Sequence, residues 1–144
     1  QQLFDGTIKD NLLTNCNEDE IQHVLNSLDL SHLSTEQYMT MNGETLSGGE
    51  IQRLSMARLL LKTNAKIWML DEPTTGLDIE HTTQMMHLLL KEAETIIVST
   101  HDLRLLPDFD RIIVMIDGEI KEQGTYETLI KNRGYLYQME QLNQ

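Results

Sequence analysis

Two rhythms of apolar and polar positions run along this chain. Behind Asn17, residues Ile21, Val24, Leu25 and Leu28 recur at helical spacing, and Asn17 with Glu20 three residues on fits a capping box. A second helix is expected after the Ser47-Gly48-Gly49 turn, with Ile51, Leu54, Ala57 and Leu61 on one face. The pattern then alternates strand and helix. Ile67-Trp68-Met69-Leu70 reads as a short buried strand, Met86, Leu89, Leu90 and Ala93 mark a helix, and Thr95-Ile96-Ile97-Val98-Ser99 reads as a second buried strand. Residues 112–116 and 119–123 flank Asp117-Gly118, a strong two-residue hairpin signal. Thr125 opens a last helical region that Gly134 breaks. Residues 1–16 read as a connecting stretch centred on Gly6, and 31–46 as polar and irregular. The expected class is α/β: a largely helical first part, then a mostly parallel sheet with a C-terminal hairpin. Two strands apolar on both faces call for covering layers on both sides, and this chain is not expected to supply a full set of them.

Composition narrows the function. With 144 residues, 40% of them hydrophobic and 24% charged, the chain matches one ordinary domain and is not disordered. The net charge of −12 is spread evenly, without a basic stripe, which argues against nucleic acid as a partner. An anionic nucleotide is still compatible, because backbone amides and a metal ion can hold it. The apolar run Ile112-Ile113-Val114-Met115-Ile116 is far short of the about 20 residues that span a bilayer. No basic leader precedes an apolar stretch, so no secretion signal is read. The chain opens on Gln1-Gln2 rather than on methionine and is read as a fragment. Cys16 is alone and the five histidines lack ligand spacing, which fits a reducing, cytoplasmic setting without an internal disulfide.

Four segments carry candidate chemistry. Asp71 and Glu72 stand at the carboxyl end of the first buried strand, where ligands of open α/β sheets sit. They are either a solvated acidic turn, or a Mg²⁺ ligand followed by a carboxylate that handles the proton of an attacking water. Ser47-Gly48-Gly49-Glu50 is either a plain helix cap or an anion site, in which glycines let backbone amides crowd a phosphate at a helix start. His101 follows the second buried strand, as a structural histidine or as a donor to a terminal phosphate. Gly76-Leu77-Asp78, taken alone, is a turn.

Their order and spacing together resemble the nucleotide-binding (ATPase) domain of ABC transporters, of the exporter type. Leu46 to Glu50 resembles the family's signature motif, with Glu50 where glutamine is commoner. Ile67 to Glu72 resembles the Walker B strand with its catalytic glutamate, Thr75-Gly76-Leu77-Asp78 the D-loop, and His101 the switch histidine. Leu3-Phe4-Asp5-Gly6-Thr7-Ile8-Lys9-Asp10-Asn11-Leu12 is similar to the stretch after the Q-loop in exporters, and Ile116 through Thr125 to the C-terminal hairpin and turn. The resemblance implies the C-terminal part of such a domain: about 1–63 the helical, signature-bearing part, and about 64–144 the Walker B, D-loop and switch-histidine part.

It further implies ATP and Mg²⁺ as cofactors, with ATP held between two such domains arranged head to tail. Ser47, Gly48 and Gly49, with Glu50 beside them, would contact the γ-phosphate of ATP on the opposite subunit. Asp71 would help hold Mg²⁺, Glu72 would activate water, His101 would touch the γ-phosphate, and Asp78 would link the two sites. Implied partners are the transmembrane domain of an exporter and a second nucleotide-binding domain, as homo- or heterodimer, at the cytoplasmic face of the cell membrane. Glu50, with the segments Thr100 to Arg104 and Phe109 to Met115, is similar to bacterial exporters of cysteine or glutathione linked to cytochrome bd assembly.

Three departures qualify the match. No Gly-x-x-x-x-Gly-Lys-Ser/Thr occurs in these 144 residues, since Lys9 and Lys62-Thr63 lack the preceding glycines. In the family the Q-loop glutamine normally lies five residues before the phenylalanine matched by Phe4, which would be two positions before Gln1, so neither Gln1 nor Gln2 is assigned that role. The segment that touches transmembrane helices in exporters is here Thr40-Met41-Asn42-Gly43-Glu44-Thr45, shorter than usual. The alternatives are a soluble ABC ATPase of translation or DNA maintenance, and a non-catalytic interface fragment.

Overall fold

Polar side chains that fold back onto free amides set where the helices of this chain begin. The computed structural model describes residues 3–40, 45–62 and 65–142, so Gln1, Gln2, Thr63 and residues 41–44 of the expected coupling segment lie outside the described residues. Contacts divide the chain into two units, Gln1–Thr100 and His101–Gln144.

In the first unit, α1 (Ile8–Leu12), α2 (Glu18–Ser27) and α3 (Gly48–Leu60) start at Thr7, Asn17 and Ser47. Each start is a complete capping box, closed by Asp10, Glu20 and Glu50. α4 (Ile79–Glu92) starts at Asp78, whose carboxylate accepts the His81 N–H. The expected helices at 17–28, after Ser47 and through Met86 are all present. Residues 1–16 are a correction: they are not a bare connection. Gly6–Thr7 forms β1, which leads into α1 and pairs antiparallel with β2 (Tyr38–Met39), itself inside the stretch expected to be irregular. A two-residue ladder and a five-residue helix are too short to show a period, and long-range pairing holds them.

The core of this unit is built from α1, α2 and α3, with Ile8, Leu12, Ile21, Leu25, Leu54 and Ala57 fully buried. Met85, Met86 and Leu89 anchor α4. One polar pair is buried among them. The Asn11 carboxamide oxygen accepts the Phe4 N–H at 2.9 Å, and its amide donates to the carbonyls of Phe4 at 2.8 Å and Thr7 at 3.1 Å. Arg58 of α3 donates from Nε to the Asn11 carbonyl at 2.6 Å, and burial lowers its pKa. Asn11 therefore fixes the Phe4–Thr7 loop from inside, and Arg58 ties that loop to α3.

β3 (Ile67–Asp71) and β4 (Thr95–Ser99) pair in parallel, with Asp71 opposite Ser99, so their carboxyl ends lie side by side. Both strands, expected to be buried, are covered on one face only, in line with the expectation that this chain lacks a full set of covering layers. Trp68 is 5% exposed on one face, while on the other Ile67 is 62%, Met69 77% and Ile97 53% exposed. Within this unit the parallel pair has one buried face and one open apolar face.

In the second unit a 3-10 turn (Leu103–Asp108) precedes the hairpin of β5 (Ile112–Ile116) and β6 (Glu119–Gly124). Asp117 (φ 52°) and Gly118 (φ 77°) are both left-handed, as a type I′ turn requires. Thr125 caps α5 (Tyr126–Asn132), and Gly134 separates it from α6 (Tyr135–Leu142). The Glu122 carboxylate accepts the N–H groups of Tyr135 at 2.8 Å and Leu136 at 3.0 Å, so a strand residue serves the start of α6. Ile112, Val114, Leu129 and Leu136 form this unit's core. The architecture is α/β, with a helical first part, a parallel pair and a C-terminal hairpin.

Candidate functional site

The start of α3 is a closed polar knot. Glu50 Oε2 accepts the Ser47 N–H and the Ser47 hydroxyl, each at 2.7 Å, while Ser47 Oγ accepts the Glu50 N–H at 3.3 Å. The second carboxylate oxygen meets His32 Nε2 at 2.6 Å. An ionised carboxylate only accepts, so His32 is the donor. The Ser47 hydroxyl first, then the Ser47 amide and His32, hold the Glu50 pKa down at about 2.

A pH dependence follows from that shift. A depressed folded pKa gives stability that is complete above the unfolded value of 4.5 and is lost as pH falls toward about 2. The stability advantage of the wild type over Glu50→Gln is therefore expected to shrink across that window, measured by chemical denaturation at stepped pH. An advantage independent of pH would show that the knot does not need the ionised carboxylate.

Ser47 and Gly48 are exposed. A Cβ placed on Gly48 would meet nothing within 4 Å. One on Gly49 would make ordinary contacts, 3.5 Å from Leu77 Cδ2 and 3.7 Å from the Gly76 carbonyl. Gly76 itself is left-handed at φ 83°. The signature start thus lies against the turn before α4. Neither Gly48 nor Gly49 is a glycine because this chain's own packing demands it.

Asp78 Oδ1 accepts the His81 N–H at 2.9 Å, and its Oδ2 meets His81 Nδ1 at 2.7 Å. The His81 amide first, then its ring, lower the Asp78 pKa. His81 Nε2 also lies 3.8 Å from Asp29 Oδ2.

Asp71 ends β3 with an exposed side chain, and Glu72 follows, half-buried. Glu72 has φ 46°, a left-handed conformation costly for a residue with a Cβ. Its N–H donates to the Ser99 carbonyl at 2.8 Å, and Gln52 Nε2 of α3 donates to the Pro73 carbonyl at 2.6 Å. The turn is pinned from both sides. A cleft of about 340 Å³ opens beside the two carboxylates, with Gln52, Met56 and Leu59 on one wall and Met69 to Pro73 on the other. Such strain gathers at functional positions.

His101 is exposed and is the first residue of the second unit. Asp102 beside it is held by Arg104, with Nε at 2.8 Å and Nη2 at 2.6 Å, and this pairing lowers its pKa.

In the first unit the structure joins Ser47–Glu50 with Gly76–Leu77, and brings α3 against the Asp71–Glu72 turn through Gln52. The sequence reading missed His32, Gln52 and His81. His81 lies three residues after Asp78 and is legible as a capped-helix partner. His32 and Gln52 carry no local signal, because their partners are distant in the chain.

Among the described residues no group of three or more His, Cys, Asp or Glu residues could hold a metal ion. The lone carboxylate of Asp71 suits Mg²⁺, which keeps water and substrate phosphate ligands and takes only one or two carboxylates from protein.

The ABC transporter family model matches residues 1–75, and the chain belongs to that family. It is similar to the glutathione/L-cysteine transport system ATP-binding/permease protein CydC of Escherichia coli, 38% identical over 96% of this chain and 26% of that protein. It is likewise similar to the ATP-dependent lipid A-core flippase of Syntrophus aciditrophicus, 40% identical over 97% of this chain and 25% of that protein. A solved bacterial Atm1-family ABC exporter with ATP bound superposes with a TM-score of 0.85 at 26% identity, covering 99% of this chain and 27% of that one. The chain spans about a quarter of the length of the curated relatives it matches. Among the described residues no helix is long and apolar enough to cross a membrane.

Proposed function

We propose that this chain is the signature and Walker B portion of an ATPase domain that powers export by a longer ABC transporter. The observation that carries the reading is Gly48: an exposed glycine at a helix start, with open space before it and no positive φ to require it. A glycine that its own fold does not need is explained by something external that must come close. In this reading the occupant is the γ-phosphate of ATP bound to a second nucleotide-binding domain, arranged head to tail.

Ser47, Gly48 and Gly49 contact that phosphate, with Glu50 beside them, and Asp78 presents the start of α4 to the opposite subunit. Asp71 would hold Mg²⁺, which would neutralise phosphate charge. Glu72 accepts the proton of the attacking water. His101 donates to the γ-phosphate. Residues 1–63 form the signature-bearing part and 64–144 the part that carries the acid, base and histidine. The transmembrane domain is the mechanical partner, at the cytoplasmic face of the cell membrane. Cysteine/glutathione and lipid A relatives match equally well, so this portion is the shared motor and cargo is chosen elsewhere. Relatives named as transporters favour this reading over a soluble ATPase of translation or DNA maintenance.

Gly48→Ala in the full-length polypeptide tests it. The fold has room for the methyl and the helix gains propensity, so thermal stability is expected to hold or rise slightly. ATP turnover is expected to fall about tenfold or more, because the phosphate is displaced. Unchanged turnover would overturn the assignment.

A further inference from the structure

The loop after α2 reaches both helix starts of the candidate site. His32 donates to Glu50 Oε1 at 2.6 Å, and Asp29 faces His81, the partner of Asp78, at 3.8 Å. Ser47 shows why the first contact matters. A serine hydroxyl has one hydrogen, and here it goes to Glu50 Oε2, which also takes the Ser47 N–H. A phosphate that is to receive that hydrogen must win it from a carboxylate, and must approach a negative charge to do so. Glu50 stays ionised at any working pH, since its pKa is held at about 2.

Resting on the function proposed above, we infer that His32 is a positioning residue for nucleotide recognition, acting through Glu50. Its N–H on Oε1 opposes the carboxylate charge from the side away from Ser47. That weakens the hold of Oε2 on the hydroxyl and reduces repulsion of the incoming phosphate. His32 touches no substrate itself, and it is 55% exposed, so its own packing explains little of its position.

The test is steady-state ATP hydrolysis by the full-length transporter, with KM and kcat separated. Glu72→Gln comes first: turnover that survives it sinks the underlying reading, whatever His32 does. With turnover shown to depend on Glu72, His32→Ala is expected to raise KM for ATP roughly fivefold, with kcat held within about twofold. Adding Glu50→Gln to His32→Ala removes the charge that the histidine opposed, and is expected to lower KM from the His32→Ala value. A merely structural role predicts no such rescue. Should His32→Ala lower the melting temperature, His32→Gln, which keeps a side-chain donor, is compared with it and is expected to show a smaller rise in KM. A wild-type KM in His32→Ala, a change in kcat alone, or a double variant no better than His32→Ala overturns the inference.

Discussion

Glu72→Gln in the full-length polypeptide is expected to cut steady-state ATP hydrolysis by at least about a hundredfold, or ~2.7 kcal/mol of barrier, while ATP binding persists. The substitution keeps the size and shape of the side chain and removes only its ability to take a proton. The left-handed backbone at this position is held by the Ser99 carbonyl and, one residue on, by Gln52, neither of which depends on the carboxylate. The local fold should therefore survive, and the loss should appear in turnover rather than in nucleotide affinity. A persistent ATP-bound pairing of two such domains is the expected companion result, because closure needs binding and reopening needs hydrolysis. Measured together, ATPase rate and nucleotide binding separate the outcomes. Wild-type turnover would show that Glu72 is not the base.

The isolated 144-residue polypeptide is expected to show no ATP turnover above background and to self-associate. These residues contain no glycine-rich phosphate cradle with its lysine. Positioning supplies most of the catalysis of phosphoryl transfer, so carboxylates without that cradle have little to act on. Association follows from the parallel pair. Ile67, Met69 and Ile97 stand open on one face of a sheet type that is ordinarily covered on both. In the proposed reading, the part of the domain bearing the P-loop completes this sheet. Without it, apolar faces and free strand edges invite pairing with other copies. Sedimentation at low micromolar concentration is the measurement, and Ile97→Lys should shift the distribution toward monomer. A compact monomer that melts cooperatively, or Mg²⁺-dependent turnover abolished by Glu72→Gln, would overturn the respective half of the expectation.

The single-turn features were the legible ones. Asn17 with Glu20 and Asp117 with Gly118 act over two or three residues, and the structure shows a capping box and a type I′ turn in those places. The strands at 67–71 and 95–99 were legible as apolar runs lacking a full set of covering layers, but which face stays open was not: periodicity reports what a face is made of, not what lies on it. The opening stretch shows the opposite error. Its helix is five residues long, and its stability comes from Asn11 and Arg58, whose meeting joins segments 47 positions apart.

The sequence alone determined the family, because Leu46–Glu50, Ile67–Glu72, Thr75–Asp78 and His101 are short segments whose order and spacing carry the resemblance. Tertiary structure decided the rest. It showed that His32 reaches Glu50, that Gln52 pins the turn after Glu72, and which face of the parallel pair is open. Each of these depends on residues far apart in the chain meeting at hydrogen-bond distance or failing to meet at all, and no local pattern encodes such a meeting.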